Sequence, residues 1–309
     1  METHRVHEEL LRRELRILVV GCGGTGSAVA GGLPYLHQAL VAWGHPGGLQ
    51  VTVIDGDTIS GVNCLRQPFG PSEIGMSKAI VLVNRINLFW GLDWQAIPQA
   101  LTEQTLAPAC AGYSERHLRP DIVIGCVDTR AARAVIAKSV AGSSITGYWL
   151  DLGNHATGGQ FVLGEPQNAR NKRSRLRLRT AAEMYEEVVN PDLDGEKEPS
   201  CSAIEALDRQ EPFVNSCLAQ HALALLARLF RYGQISHHGG FVDVAGARGA
   251  PLPVEPLIWR RVRKRGKAKP ENGTSVLAGK RAPASRREGR NAPVTRDLQI
   301  MPKLALGAA

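Results

Sequence analysis

Two groups of residues in the first eighty positions have the types and spacing that nucleotide chemistry uses. The first lies in ILVVGCGGTGSAVAGGL, where Gly21, Gly23 and Gly26 stand at G-x-G-x-x-G spacing and Gly24 adds a fourth glycine. Such a turn lets the backbone approach phosphates and aims the N–H groups and positive dipole end of the following helix at them. The second group follows the strand VTVID: Asp55, Asp57, Asn63, Arg66, Gln67 and Lys78. Asp55, at a strand end, suits ribose hydroxyls. Arg66 and Lys78 supply a bidentate fork and a mobile point charge for phosphates, the plain alternative being two solvated surface cations. Asn63 and Gln67 would hydrogen-bond phosphate or, as ordinary turn residues, fix the loop, and Asp57 would line the site or brace the loop. Farther on, Asp128 ends the strand DIVIGCVD. A single carboxylate there suits Mg²⁺ shared with phosphate oxygens, and the structural alternative is an N-cap for a helix beginning at Thr129.

The elements that must position these residues alternate in type. A short amphipathic helix over residues 4 to 14 leads into a strand from Arg16 to Val20 and then into a helix in which Pro34 should produce a kink or a break. WGHPGG makes a turn before the second strand. Met76 to Trp90 is helical, with Ile80, Val83, Ile86 and Leu88 on its apolar face, and WQAIPQA is a short third strand. A helix from Arg130 to Val140 carries Arg133. GYWLDLGN is the next strand, and GGQFVLG returns antiparallel to it. The pattern predicts an α/β fold, a doubly wound, mainly parallel sheet of Rossmann-like type with an antiparallel second half. Residues of about 166–200 form a long crossover loop with one helix over Thr180 to Val189, and loops of that length in compact domains are commonly functional. Phe213 to Phe230 is a helix, GGFVDVAG a final strand, and PLPVEPLIW an extended edge. The domain reading is therefore 1–259 for the folded part, its nucleotide half at about 15–151, and 260–309 for a basic disordered tail.

GxGGxGS, then DxDxxxxxNxxRQ, then Lys78 resembles the ThiF/MoeB and ubiquitin-activating-enzyme superfamily over residues 15 to 165, and more loosely over 198 to 260. The resemblance implies ATP- and Mg²⁺-dependent adenylation of the C-terminal glycine of a small ubiquitin-like protein. Arg66 and Lys78 would contact ATP phosphates, Asp55 the ribose and Asp128 the metal. It also implies a homodimer whose site borrows an N-terminal arginine, for which Arg12 and Arg13 are the candidates. Several relatives continue with attack by a cysteine, and Cys201, at the end of the crossover loop, is the candidate here, its alternative being a buried small residue. PSCSAIEAL, FVNSCLAQHALALLARLFRYG and PLPVEPLIW look most like the ThiF-family member of the PRTRC cassette, which implies a cassette-encoded ubiquitin-like partner. The same residues leave open a tRNA-modifying member of the superfamily, an NAD(P)-dependent oxidoreductase and a non-catalytic nucleotide-binding scaffold.

Composition narrows the setting. The six cysteines contain no C-x-x-C pair, which argues against a disulfide framework and against the paired-cysteine zinc site of many ThiF/MoeB relatives, so no zinc is expected. No apolar run approaches the ~18 residues of a membrane span and the start is charged, which implies a cytoplasmic protein. Residues 260–309 hold 14 Lys/Arg against 3 Asp/Glu, a balance of +11, so the net charge of +8 leaves −3 on residues 1–259. The tail could make weak, sequence-blind contact with nucleic acid, although solvated tails are the commoner case.

Overall fold

Runs of β-branched and leucine residues between helices build one eight-stranded sheet. The computed structural model describes residues 2–106, 120–141, 143, 146–169, 171–195 and 210–267. Strands are numbered along the chain. They are β1 (His4–Arg5), β2 (Leu15–Val20), β3 (Leu49–Ile54), β4 (Gln95–Ile97), β5 (Ile122–Gly125), β6 (Tyr148–Asn154), β7 (Gly158–Gly164), β8 (Gln234–Ile235), β9 (His237–Asp243) and β10 (Arg248–Pro253). The large sheet runs β10-β9-β7-β6-β5-β2-β3-β4, and β1 pairs antiparallel with β8 in a separate ribbon. The strands from β6 through β4 are mutually parallel, with Ile17 opposite Val51 on one side and Ile122 on the other. β7, β9 and β10 continue the sheet antiparallel. β2, β5 and β6 are almost wholly buried, as central parallel strands covered on both faces must be.

The helices are α1 (Gly24–Ala42), α2 (Lys78–Trp90), α3 (Arg130–Val140), α4 (Ala181–Met184), α5 (Val214–Tyr232) and α6 (Pro256–Lys267). α1 runs uninterrupted through the buried Pro34, so the expected break does not occur. Tertiary packing outweighs the one lost hydrogen bond: at Gly32 a Cβ would lie 2.4 Å from Leu223 Cδ1, so α5 presses closely on α1. α2 begins at Lys78, capped by Ser77, and buries Ala79, Leu82, Val83 and Ile86. Ile80 and Leu88, expected on that face, are exposed.

Two more expectations are corrected at the chain's margins. Residues 4 to 14 form no α-helix, but the short strand β1 and a 3₁₀ turn over Glu8–Leu11. α6 crosses the expected boundary at 259/260, because Pro256 presets the first turn and Trp259 turns into the core. Trp259 Nε1 there donates to His238 Nε2 at 2.9 Å. The basic residues around Trp259 and Val262 hide this apolar spacing in the sequence. Within the crossover loop, α4 is followed by 3₁₀ turns over Glu186–Val189 and Pro191–Leu193. No helix among the described residues is long and apolar enough to cross a membrane.

Candidate nucleotide site

At the carboxyl ends of β2, β3, β5 and β6 lies a cavity of about 580 Å³. Strand order reverses between β2 and β5, where one crossover goes left and the next goes right, and this is where open α/β sheets leave a crevice. The glycine turn forms its floor. Gly21 has φ +93°, a conformation that favours glycine, and a Cβ on Gly26 would sit 1.9 Å from the Gly21 carbonyl oxygen. At Gly23 a Cβ would meet nothing within 4 Å, so the turn leaves open space above its backbone. That space, at the N-terminus of α1, is a cradle for phosphate.

The acidic and cationic groups stand around this floor. The Asp55 carboxylate accepts from the backbone N–H of Cys22 and, at 2.7 Å, from that of Asp57. Burial raises the Asp55 pKa against the pull of these two donors. Asp57 is largely exposed, and its Oδ2 lies 2.9 Å from Nζ of the buried Lys78. Arg66 and Gln67 line the cavity from the loop after β3. Arg66 Nε and Gln67 Oε1 are buried without a hydrogen-bond partner. Asn63 lines the cavity too, while its Oδ1 accepts from the Ser60 backbone and hydroxyl, so it also braces the loop. Asp128 is exposed on the opposite wall. It does not cap α3: Thr129 accepts from the Ala132 N–H, and Asp194 of the crossover loop accepts from the N–H groups of Arg130 and Ala131 at 2.9 Å each.

A polar group on the rim has no counterpart in the sequence reading. Thr25 Oγ1 donates to Asn215 Oδ1 at 2.9 Å and accepts from Asn154 Nδ2 at 2.9 Å. Asn154 Nδ2 also donates to Asn215 Oδ1, and Asn215 Nδ2 donates to Gln210 Oε1 at 3.0 Å. All four residues line the cavity. Behind the wall, Arg133 donates to the carbonyls of Val127 (2.9 Å) and Leu152 (3.2 Å) and pairs with buried Asp151 at 3.3 Å. Arg133 thereby ties the ends of β5 and β6 together. Burial pushes the Asp151 carboxyl up to about 6.

The structure thus brings Gly21, Gly23, Gly24, Asp55, Asp57, Asn63, Arg66, Gln67, Lys78 and Asp128 to one cavity, with Gly26 packed directly beneath. Cys201 lies outside the described residues. Cys22 and Cys126 are buried thiols, and burial pushes Cys22 up to about 12 and Cys126 higher still. Neither forms a thiolate near neutrality.

The ThiF family model matches residues 5–263. The chain belongs to the ThiF family. Among solved structures of similar fold is PaaA, at TM-score 0.51 and 14% identity over 78% of this chain and 64% of PaaA. Escherichia coli MccB with ATP aligns at TM-score 0.47 and 15% identity over 80% of this chain and 65% of MccB. The E. coli tRNA N6-threonylcarbamoyladenosine dehydratase TcdA aligns at TM-score 0.36 and 22% identity over 47% of this chain and 53% of TcdA. This ThiF chain therefore spans between half and two thirds of the length of these neighbours. A comparison with curated proteins finds no match.

Proposed function

We propose that this ThiF-family chain uses ATP and Mg²⁺ to adenylate the C-terminal glycine carboxylate of a small ubiquitin-like protein. The observation that carries the reading is the pair of buried, partnerless atoms, Arg66 Nε and Gln67 Oε1, beside the open glycine turn. An unpaired buried polar group costs about 1–3 kcal/mol. A triphosphate accepts from Arg66, and a hydroxyl of the same nucleotide donates to Gln67 or Asp55. ATP offers both, and both groups line the one cavity.

In this reading the glycine-turn N–H groups hold phosphate and Asp55 takes the ribose. An oxygen of the incoming carboxylate attacks the α-phosphorus, the bond from that phosphorus to the bridging oxygen breaks, and pyrophosphate leaves with the electron pair. Lys78 exchanges Asp57 for phosphate and, with Arg66, stabilises the charge that develops, which is where most catalysis in such sites resides. Asp128 suits Mg²⁺, which favours one or two carboxylates beside phosphate oxygens and would neutralise charge on the leaving group. A thioester step, where one follows adenylation, would fall to Cys201 by its place at the end of the crossover loop, the buried Cys22 and Cys126 lacking thiolate character. In a homodimer with an exchanged arginine, Arg12 is the better placed, because Arg13 is held by Asp121 at 2.5 and 2.8 Å. A PRTRC-type cassette would supply the ubiquitin-like partner. The tail's charge fits weak nucleic-acid contact at most.

Titration with Mg·ATP, NAD⁺ and NADP⁺, followed by pyrophosphate exchange with a glycine-tailed ubiquitin-like protein, tests the proposal. Selective ATP binding that weakens in Arg66→Ala and Asp128→Ala is the expected result. Preference for a nicotinamide nucleotide, or absence of nucleotide binding, would overturn it.

A further inference from the structure

About 20 Å from the nucleotide cavity, along the length of β6 at ~3.3 Å per residue, a second group of ligating side chains converges. Tyr148 begins β6 where Asn154 ends it. Beside Tyr148, the chain's start brings His4 and His7 against Glu165, the residue that follows β7. Glu165 Oε1 lies 2.8 Å from His7 Nε2, and Oε2 lies 3.5 Å from His4 Nδ1. One potential ligand atom from each residue falls within 4.8 Å of the other two. His4 and Glu165 are buried, and His7 is partly exposed, which leaves a path for entry.

We propose that His4, His7 and Glu165 bind a divalent transition-metal ion of the zinc class. The donor set is decisive for the metal: two imidazoles and one carboxylate suit zinc and its neighbours, whereas Mg²⁺ and Ca²⁺ take oxygen ligands. Tetrahedral zinc with ligands at ~2.0–2.1 Å places them ~3.3 Å apart. The separations in the structure, 2.8 and 3.5 Å with all three ligand atoms within 4.8 Å of one another, bracket that value. The surroundings are those of a supported site. Tyr148 Oη hydrogen-bonds His4 Nε2 at 2.8 Å, which leaves Nδ1 facing Glu165, and the Leu178 N–H donates to Glu165 Oε2 at 2.8 Å. Such outer partners orient ligands and tune their basicity. The nearest buried guanidinium, Arg177, is engaged by Glu183 and does not neutralise Glu165. A dication here matches the buried carboxylate and pins the N-terminal segment to the sheet. The absence of C-x-x-C pairs, from which no zinc is expected, does not bear on a histidine site.

The test uses the full, untagged chain, stripped with chelator and titrated with Co²⁺ and then Zn²⁺ in excess Mg²⁺. The expected result is one Co²⁺ per chain with the visible d–d bands of a tetrahedral ion, displaced by Zn²⁺. Partly exposed His7→Ala should weaken binding at least ~100-fold and Tyr148→Phe about 10–100-fold. Asp128→Ala, in the nucleotide cavity, should leave the spectrum unchanged. No Co²⁺ bands in the unsubstituted chain, bands that survive His7→Ala in a folded protein, or bands lost in Asp128→Ala would each overturn the proposal.

Discussion

The two ends of the parallel strands differ in what stands beside their buried polar groups. At the amino end, Asp121 accepts both guanidinium arms of Arg13 and the Arg16 N–H, and Glu165 accepts from His7 and the Leu178 backbone. At the carboxyl end, Arg66 Nε and Gln67 Oε1 are buried without partners, and the glycine turn opens on empty space. Unpaired groups cost stability that paired ones do not. Buried polar atoms without a partner occur at the amino end too, Thr146 Oγ1 and Arg177 Nε among them, but Arg66 and Gln67 are the ones that line the open cavity where strand order reverses. The amino end is closed by ion pairs and hydrogen bonds, and the carboxyl end opens on a cavity.

The sharpest way to break that division is to fill the turn. Gly26→Ala places a Cβ 1.9 Å from the Gly21 carbonyl oxygen, an atom that moves only if the turn moves. Stability should fall by about 3 kcal/mol or more, toward the upper range of overpacking, and nucleotide binding should disappear. Urea denaturation and an ATP titration on the same sample check both. Arg66→Ala acts on the carboxyl end alone. The substitution removes a buried donor without a partner together with the packing of its stem, so Tm should not fall by more than about a degree, while the proposed adenylation falls ~10²–10³-fold, the usual loss for one stabilising donor. A large drop in Tm would show that Arg66 is structural. The mirror experiment is Arg13→Ala, which leaves Asp121 buried beside only the Arg16 N–H. Here stability should fall by about 1–3 kcal/mol with ATP affinity unchanged, since Arg13 is itself partly exposed and its charge partly screened.

What the sequence made legible follows from how local each signal is. The glycine turn, Asp55, Arg66 and Lys78 lie within sixty residues, and their grouping shows as spacing. Asp128 follows from the rule that ligands sit beyond carboxyl strand ends. Thr25, Asn154, Asn215 and Gln210 are ordinary single residues in sequence, and only the crossing of α1, β6 and α5 makes a cluster of them. His4, His7 and Glu165 are as widely separated, with a short H-x-x-H as the one available hint. The apolar face of α2 departs from the one its sequence suggests, because Ile80 and Leu88 stay exposed while small Ala79 packs inside. The charge of α6 reads in sequence as a solvated chain, whereas Trp259 and Val262 pack it against the core.

The comparison sharpens further with pH, and here the two ends oppose each other. At the amino end, burial pulls His238 from 6.5 down to about 4. A depressed histidine contributes stability that is present above pH 6.5 and lost as pH falls through about 4. Behind the nucleotide wall, burial raises Asp151 from 3.8 to about 6. Its favourable protonated form contributes below pH 3.8, and that contribution is lost as pH rises through about 6. Between roughly pH 4 and 6 the two slopes cancel in part. Asp151→Asn removes one of them, so acidification from pH 6 to 4.5 should destabilise this variant more steeply than the unsubstituted chain. The extra slope is at most about 1.4 kcal/mol per pH unit, one proton's worth. Urea denaturation at pH 4.5, 5.25 and 6 measures it. Equal slopes in the two proteins would mean that Asp151 does not take up a proton in the folded state, and that Arg133 holds it as a full ion pair across the wall of the site.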